Sequence, residues 1–118
     1  MESERVPVLV VEDDPALRLV CRVNLELSGF AVSEAATLDE ARAAVAAGSP
    51  AVVLLDLHLG GTAADELLDE LRAAGTPVVL VSGTADVRAY EGRASAVLAK
   101  PFEPAELVET TRRLAAAS

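Results

Sequence analysis

Apolar blocks of four to six residues alternate with helix-period segments from one end of this 118-residue chain to the other. An apolar run with no polar alternation suits a strand buried on both faces, and strands separated by helices are the pattern of a parallel sheet with helices packed above and below it. The strand-like blocks are Val6–Val11, Phe30–Ala35, Ala51–Leu55, Val78–Val81 and Ser95–Ala99, of which the second is the weakest and belongs near an edge.

The intervening segments carry their own start and stop signals. Asp14-Pro15 begins a helix, with Asp as N-cap and Pro at the first helical position, and Ser28-Gly29 stops it. Leu17, Val20, Cys21 and Leu25 are its inward positions. A second helix runs from Thr37 or Leu38 to Ala47, turning Leu38, Ala41 and Val45 inward, before Gly48-Ser49-Pro50 breaks it. A third covers roughly Ala63 to Ala74 with Ala64, Leu67, Leu68 and Leu71 on one stripe. The fourth, around Ala85 to Glu91, is short. The last runs from Pro104 to about Ala116 with Leu107, Val108, Thr111, Leu114 and Ala115 inward.

Strict alternation and right-handed crossovers predict a flavodoxin-like doubly wound α/β fold, its five parallel strands ordered 2-1-3-4-5. Residues 1–118 read as one domain with no output domain after the last helix. The single cysteine, Cys21, reads as core filling and fits a reducing compartment. No apolar run is long enough to span a bilayer, and the charged start lacks a signal-peptide pattern, so the expected location is cytoplasmic. A formal net charge of −9 argues against direct nucleic-acid binding, which depends on Lys and Arg neutralising phosphates.

In a sheet of this kind, functional groups gather beyond the carboxyl ends of the strands. There the chain places Glu12-Asp13-Asp14, Asp56, Ser82-Gly83 and Lys100-Pro101. Asp14 is accounted for as a helix cap, but successive acids at one strand end disfavour each other's ionisation. A hard divalent cation such as Mg²⁺ relieves that repulsion. Asp56 suits a nucleophile that forms an acyl phosphate, provided a cation and Lys100 offset the charge of the incoming phosphoryl group. Ser82 can donate to a phosphoryl oxygen, and Gly83 leaves a backbone N–H open to approach.

These residues resemble the receiver domain of bacterial two-component response regulators. The resemblance covers nearly the whole chain and rests on Val10-Val11-Glu12-Asp13-Asp14-Pro15, Leu54-Leu55-Asp56-Leu57-His58-Leu59, Val81-Ser82-Gly83 and Lys100-Pro101-Phe102. It implies that Asp56 is the phosphoacceptor and that Glu12, Asp13 and Asp56 bind Mg²⁺ with the His58 backbone carbonyl. It further implies Ser82 as the switch hydroxyl and Lys100 as the phosphate-neutralising lysine. Leu57 and Gly83 are then phosphate-binding, Thr84, Val97 and Pro101 modulate the switch, and the Lys100-Pro101 bond is cis. The implied partners are a sensor histidine kinase or histidine phosphotransfer protein, with a downstream protein partner and a phosphorylation-dependent dimer as expected outputs. The only catalysis implied is of the domain's own phosphorylation and autodephosphorylation.

Some positions depart from the family's pattern. Gly60 and Ala64 stand where Pro and Gly are frequent, and Gly60-Gly61 is expected to loosen the loop above the site. The stretch between Ser82 and Lys100 is shorter than usual by roughly one helical turn. The inward-turning aromatic three residues before the lysine is replaced by Val97. His58 reads either as a solvent-facing residue whose carbonyl alone matters or as an imidazole on the path of the attacking water. Val97 and the short fourth helix keep open a degenerate receiver acting as a phosphorylation-independent interaction module. A phosphatase of the haloacid dehalogenase type is disfavoured, since His58 stands where its general-acid Asp is needed.

Overall fold

A computed structural model describes residues 5–59, 62–83 and 87–117. Five parallel strands form the main sheet: β1 (Val6–Val11), β2 (Phe30–Ala35), β3 (Val52–Asp56), β6 (Val78–Gly83) and β7 (Ala96–Lys100). Their order is β2-β1-β3-β6-β7, which is 2-1-3-4-5 when these five alone are counted. The remaining two strands are a two-residue hairpin pair, β4 (His58–Leu59) and β5 (Thr62–Ala63), which the sequence pattern did not announce. The helices are α1 (Pro15–Leu27), α2 (Leu38–Ala47), α3 (Asp65–Ala73), α4 (Val87–Tyr90) and α5 (Pro104–Ala117).

Alternation along the strands divides the core in two. Leu9, Val11, Val53, Leu55, Val78 and Leu80 face α2 and α3, where Ala41, Leu67, Leu68 and Leu71 meet them. Val8, Val10, Val52, Leu54, Val79 and Leu98 face the opposite way, toward Cys21 and Leu25 of α1 and Leu107 of α5. All five residues of β3 are buried, as befits the central strand. Burial also raises the Cys21 thiol to about 11, so it is an inert core residue.

Caps set the helix starts. The Asp14 side chain accepts from the Ala16 N–H (2.9 Å) with Pro15 at the first helical position, and Thr37 Oγ1 accepts from the Glu40 N–H (3.1 Å). Helix α3 begins at Asp65 rather than Ala63, because Ala63 is taken by the hairpin and the Ala64 N–H donates to the Leu57 carbonyl (2.8 Å). Strands β6 and β7 extend further than their apolar runs, taking in Ser82-Gly83 and Lys100. Gly60-Gly61, and Ala85 at the expected start of α4, lie outside the described residues.

Val20 corrects the inward assignment on α1. It is exposed, together with Leu19, Val23 and Leu27, on the side opposite Cys21 and Leu25. Thr110, in contrast, is buried. Leu25→Ala is expected to cost about 2–5 kcal/mol through lost burial and the cavity left behind. Val20→Ser should change stability by no more than about 0.5 kcal/mol, as for an exposed position. Urea denaturation midpoints at constant m-value check both.

Candidate functional site

The register aligns the strand ends from which the site is built. Val11 pairs with Leu55, Asp56 with Val81, Ser82 with Ala99 and Gly83 with Lys100. The residues just beyond or at those ends therefore share one edge of the sheet. Glu12, Asp13 and Asp56 each present a carboxylate oxygen within 4.8 Å of the others. Glu12 and Asp56 are buried, whereas Asp13 is exposed and leaves the cluster open on one side.

Lys100 spans the width of the intervening strand β6. Its Nζ lies 3.3 Å from Glu12 Oε1 and 3.3 Å from Asp56 Oδ1, so a single ammonium sits between carboxylates from β1 and β3. Glu12 is held elsewhere too. Its backbone N–H donates to the Ala35 carbonyl (3.0 Å), and its Oε2 accepts from the Asp14 N–H (3.1 Å). Its carbonyl accepts from Arg18 Nη1 (2.8 Å), while Arg18 Nε donates to Glu34 on β2 (3.1 Å). Arg18 belongs to no motif in the sequence. Its signal was only a basic residue one turn into α1, on the side facing the acidic strand end.

The His58 N–H donates to Asp56 Oδ1 (3.3 Å), and the His58 side chain is exposed at the start of the hairpin. Leu57 is buried, and its N–H donates to the Val81 carbonyl (3.0 Å). Ser82 is buried at the end of β6, while Gly83 is exposed with open space where a Cβ would stand. The Lys100-Pro101 bond is cis, as expected. Val97 is half-buried in β7 opposite Leu80. Thr84 lies outside the described residues.

Charge crowding shows in the ionisation of these groups. Burial first, and then the negative charge of Asp56 and the proximity of Asp13, raise Glu12 to about 7, against the opposing Asp14 N–H and Lys100. Burial by itself lowers Lys100, but Asp56 and Glu12 outweigh it and its pKa is raised. The donor set is all oxygen and carries excess negative charge in one open cluster. That matches a hard divalent cation such as Mg²⁺, with Glu12, Asp13 and Asp56 as its chelating carboxylates.

The sequence of the chain matches the family model described as the response regulator receiver domain over residues 8–112. It is 39% identical over 115 residues to the C4-dicarboxylate transport transcriptional regulatory protein DctD of Pseudomonas aeruginosa, covering 90% of this chain and 24% of that protein. It is 35% identical over 117 residues to the DNA-binding response regulator MtrA of Mycolicibacterium smegmatis, covering 95% of this chain and 51% of that protein. The chain thus spans between about a quarter and half the length of these curated relatives. Among solved structures, the receiver domain of NtrX from Brucella abortus superposes with a TM-score of 0.87 at 28% identity, covering 94% of this chain and 99% of that one.

The raised Glu12 yields a pH prediction. Because its pKa in the fold exceeds the ordinary 4.5, its stabilising contribution is present below pH 4.5 and is lost as pH rises through about 7. Without metal, Glu12→Gln should therefore be more stable than wild type above pH 7 and similar to it near pH 4.5. Mg²⁺ competes with that proton, so wild-type affinity should weaken about tenfold per pH unit below 7 and level off above it. Calorimetric Mg²⁺ titrations between pH 5.5 and 8.5 test this, and a flat profile would contradict it.

Proposed function

The chain belongs to the response regulator receiver domain family, and on that premise we propose that Asp56 accepts a phosphoryl group from a phosphohistidine and that the phosphorylated form is read by a protein partner. The observation that carries this is the shared placement of Lys100 Nζ against Asp56 and Glu12, inside a cluster fit for a divalent cation. An Asp56 oxygen attacks phosphorus while the phosphorus–nitrogen bond breaks, and the imidazole nitrogen keeps the bonding pair. Water later attacks the acyl phosphate, the bond between phosphorus and the aspartyl oxygen breaks, and inorganic phosphate leaves.

Glu12, Asp13, Asp56 and the His58 backbone carbonyl are the proposed ligands for Mg²⁺. When bound, the ion neutralises the carboxylates and the phosphoryl oxygens. Lys100 is then drawn toward the new phosphoryl oxygens, and Ser82 donates its hydroxyl to one of them. Gly83 offers a backbone N–H. Leu57 offers its own in competition with the Val81 carbonyl it now serves. Thr84, Val97 and Pro101 border these groups in sequence or register and tune the response.

A sensor histidine kinase or a histidine phosphotransfer protein is the proposed donor. Helix α1 supports this, since it begins beside the acidic cluster at Pro15 and presents Leu19, Val20, Val23 and Leu27 to solvent. An apolar stripe opposite a helix's own buried face suits packing against another helix. Whole-protein outputs such as those of the longer relatives stay with those relatives.

Incubation with a small phosphodonor and Mg²⁺ should add one phosphoryl group to the wild type, detected by intact mass. Asp56→Asn should take none. Lys100→Ala should retain Mg²⁺ binding yet label at least about tenfold more slowly, as for loss of an electrostatic transition-state contact. Label that persists in Asp56→Asn would refute the acceptor assignment. A wild type that never labels would leave the phosphorylation-independent interaction module.

A further inference from the structure

The elements that follow Asp56 and Ser82 in sequence, α3 and α4, carry the two ends of one side-chain linkage. From Asp56 the chain passes through Leu57, whose carbonyl accepts the Ala64 N–H at 2.8 Å, and enters α3 at Asp65. From Ser82 and Gly83 it leads to α4, which ends at Tyr90. Tyr90 Oη donates to Asp65 Oδ1 at 2.7 Å, across 25 residues of sequence. Arg93 completes the group. Its guanidinium carbon lies 4.8 Å from the centre of the Tyr90 ring, and its nitrogens reach Asp65 at 3.9 Å and Asp69 at 3.3 Å.

This linkage rests on the core. Tyr90 and Val97 both pack against the cluster that contains Leu55, Leu57, Ala64 and Leu68. The strand position at Val97 has no ring to move, and α4, described over Val87–Tyr90, buries none of those four residues fully. Tyr90 is therefore the aromatic side chain that ties the short helix to the rest of the sheet's cover. Its phenol is raised above the ordinary value, first by the hydrogen bond to Asp65 and then by burial, as expected of a proton shared with a carboxylate.

We infer that Asp65, Tyr90 and Arg93 are positioning residues for the phosphoryl site, linking the segment that follows Asp56 to the segment that follows Ser82. The inference rests on the acceptor reading above and adds to it the means by which the two sides are held in register. A phosphoryl group on Asp56 must be met by Ser82 from the next strand. Joining the chain beyond each residue reduces the freedom that has to be given up when they meet, which is preorganisation. By the same linkage, a phosphoryl group that draws the two sides together must act on the Tyr90–Asp65 bond.

The protein supplies its own probe, since Tyr90 is its only tyrosine and it has no tryptophan. Beryllofluoride with Mg²⁺ serves as the phosphoryl mimic, titrated by calorimetry while Tyr90 emission is recorded. In the wild type, binding should change the emission. Tyr90→Phe keeps the ring and removes only the hydroxyl, and it should weaken beryllofluoride binding about fivefold while leaving the affinity for Mg²⁺ alone unchanged. Asp65→Ala, a surface change that keeps the ring intact, should weaken it similarly. The double variant should be no worse than either single one, and Asp65→Asn, which retains an acceptor oxygen, should recover part of the loss. If the wild type binds the mimic while Tyr90→Phe and Asp65→Ala bind it equally well, this inference falls and the acceptor reading stands. Additive losses in the double variant would overturn the direct Tyr90–Asp65 link. Failure of the wild type to bind beryllofluoride at all would overturn both readings.

Discussion

Three carboxylates crowded at one sheet edge, with a single ammonium between two of them, set the terms for the rest of the molecule. Two unit charges about 4 Å apart repel by on the order of 4 kcal/mol at an effective dielectric near 20. Glu12 answers part of that repulsion by holding its proton up to about 7, and Lys100 answers part by bridging Glu12 and Asp56. Burial helps Glu12 keep that proton and works against the charge of Lys100, which Asp56 and Glu12 nevertheless sustain. A cation neutralises what remains. On the proposed function, a phosphoryl group brought to Asp56 would reopen the balance, since it would compete for the lysine that now serves both acids.

Only a rigid frame can keep like charges this close, and the sheet provides it. Asp56 terminates a strand buried along its whole length, and Glu12 follows a strand buried over its last four residues. Lys100 ends the edge strand β7, where a long side chain must pass β6 to reach the two acids. The parallel arrangement is what brings these ends to the same side. In an antiparallel sheet, alternate strand ends would point to opposite edges and the cluster would disperse.

Most of this was legible in the chain because it depends on strong local signals. Unbroken aliphatic runs mark strands buried on both faces, and Asp14-Pro15 marks a helix start that leaves little freedom in where Glu12 and Asp13 lie. That Glu12, Asp56 and Lys100 meet at one edge followed from the strand order. What escaped depended on tertiary context. Val20 sits at helical spacing from buried residues, yet its apolar side chain faces solvent, and periodicity cannot separate a face covered by the sheet from one awaiting a partner. The β4–β5 hairpin is only two residues on each side, too short for any alternation to appear. Arg18 reaches the Glu12 carbonyl through a long flexible side chain, which sequence spacing does not aim.

Val97 and Tyr90 of α4 pack against the same core cluster. None of the described residues of α4 is fully buried, so few apolar contacts fix it, and segments held by few contacts open at low free-energy cost. Polar and aromatic contacts then carry more of the restraint. Tyr90 with Asp65 and Arg93 is that restraint here, and it lies on the α3 side of the helix rather than along β7. The side of the sheet on which the ring is anchored decides which surface moves with it. Half-exposed charges such as Arg93 hold weakly enough to be released, while the ring's packing keeps α4 from detaching altogether. A link that yields without unfolding is what a two-state element requires.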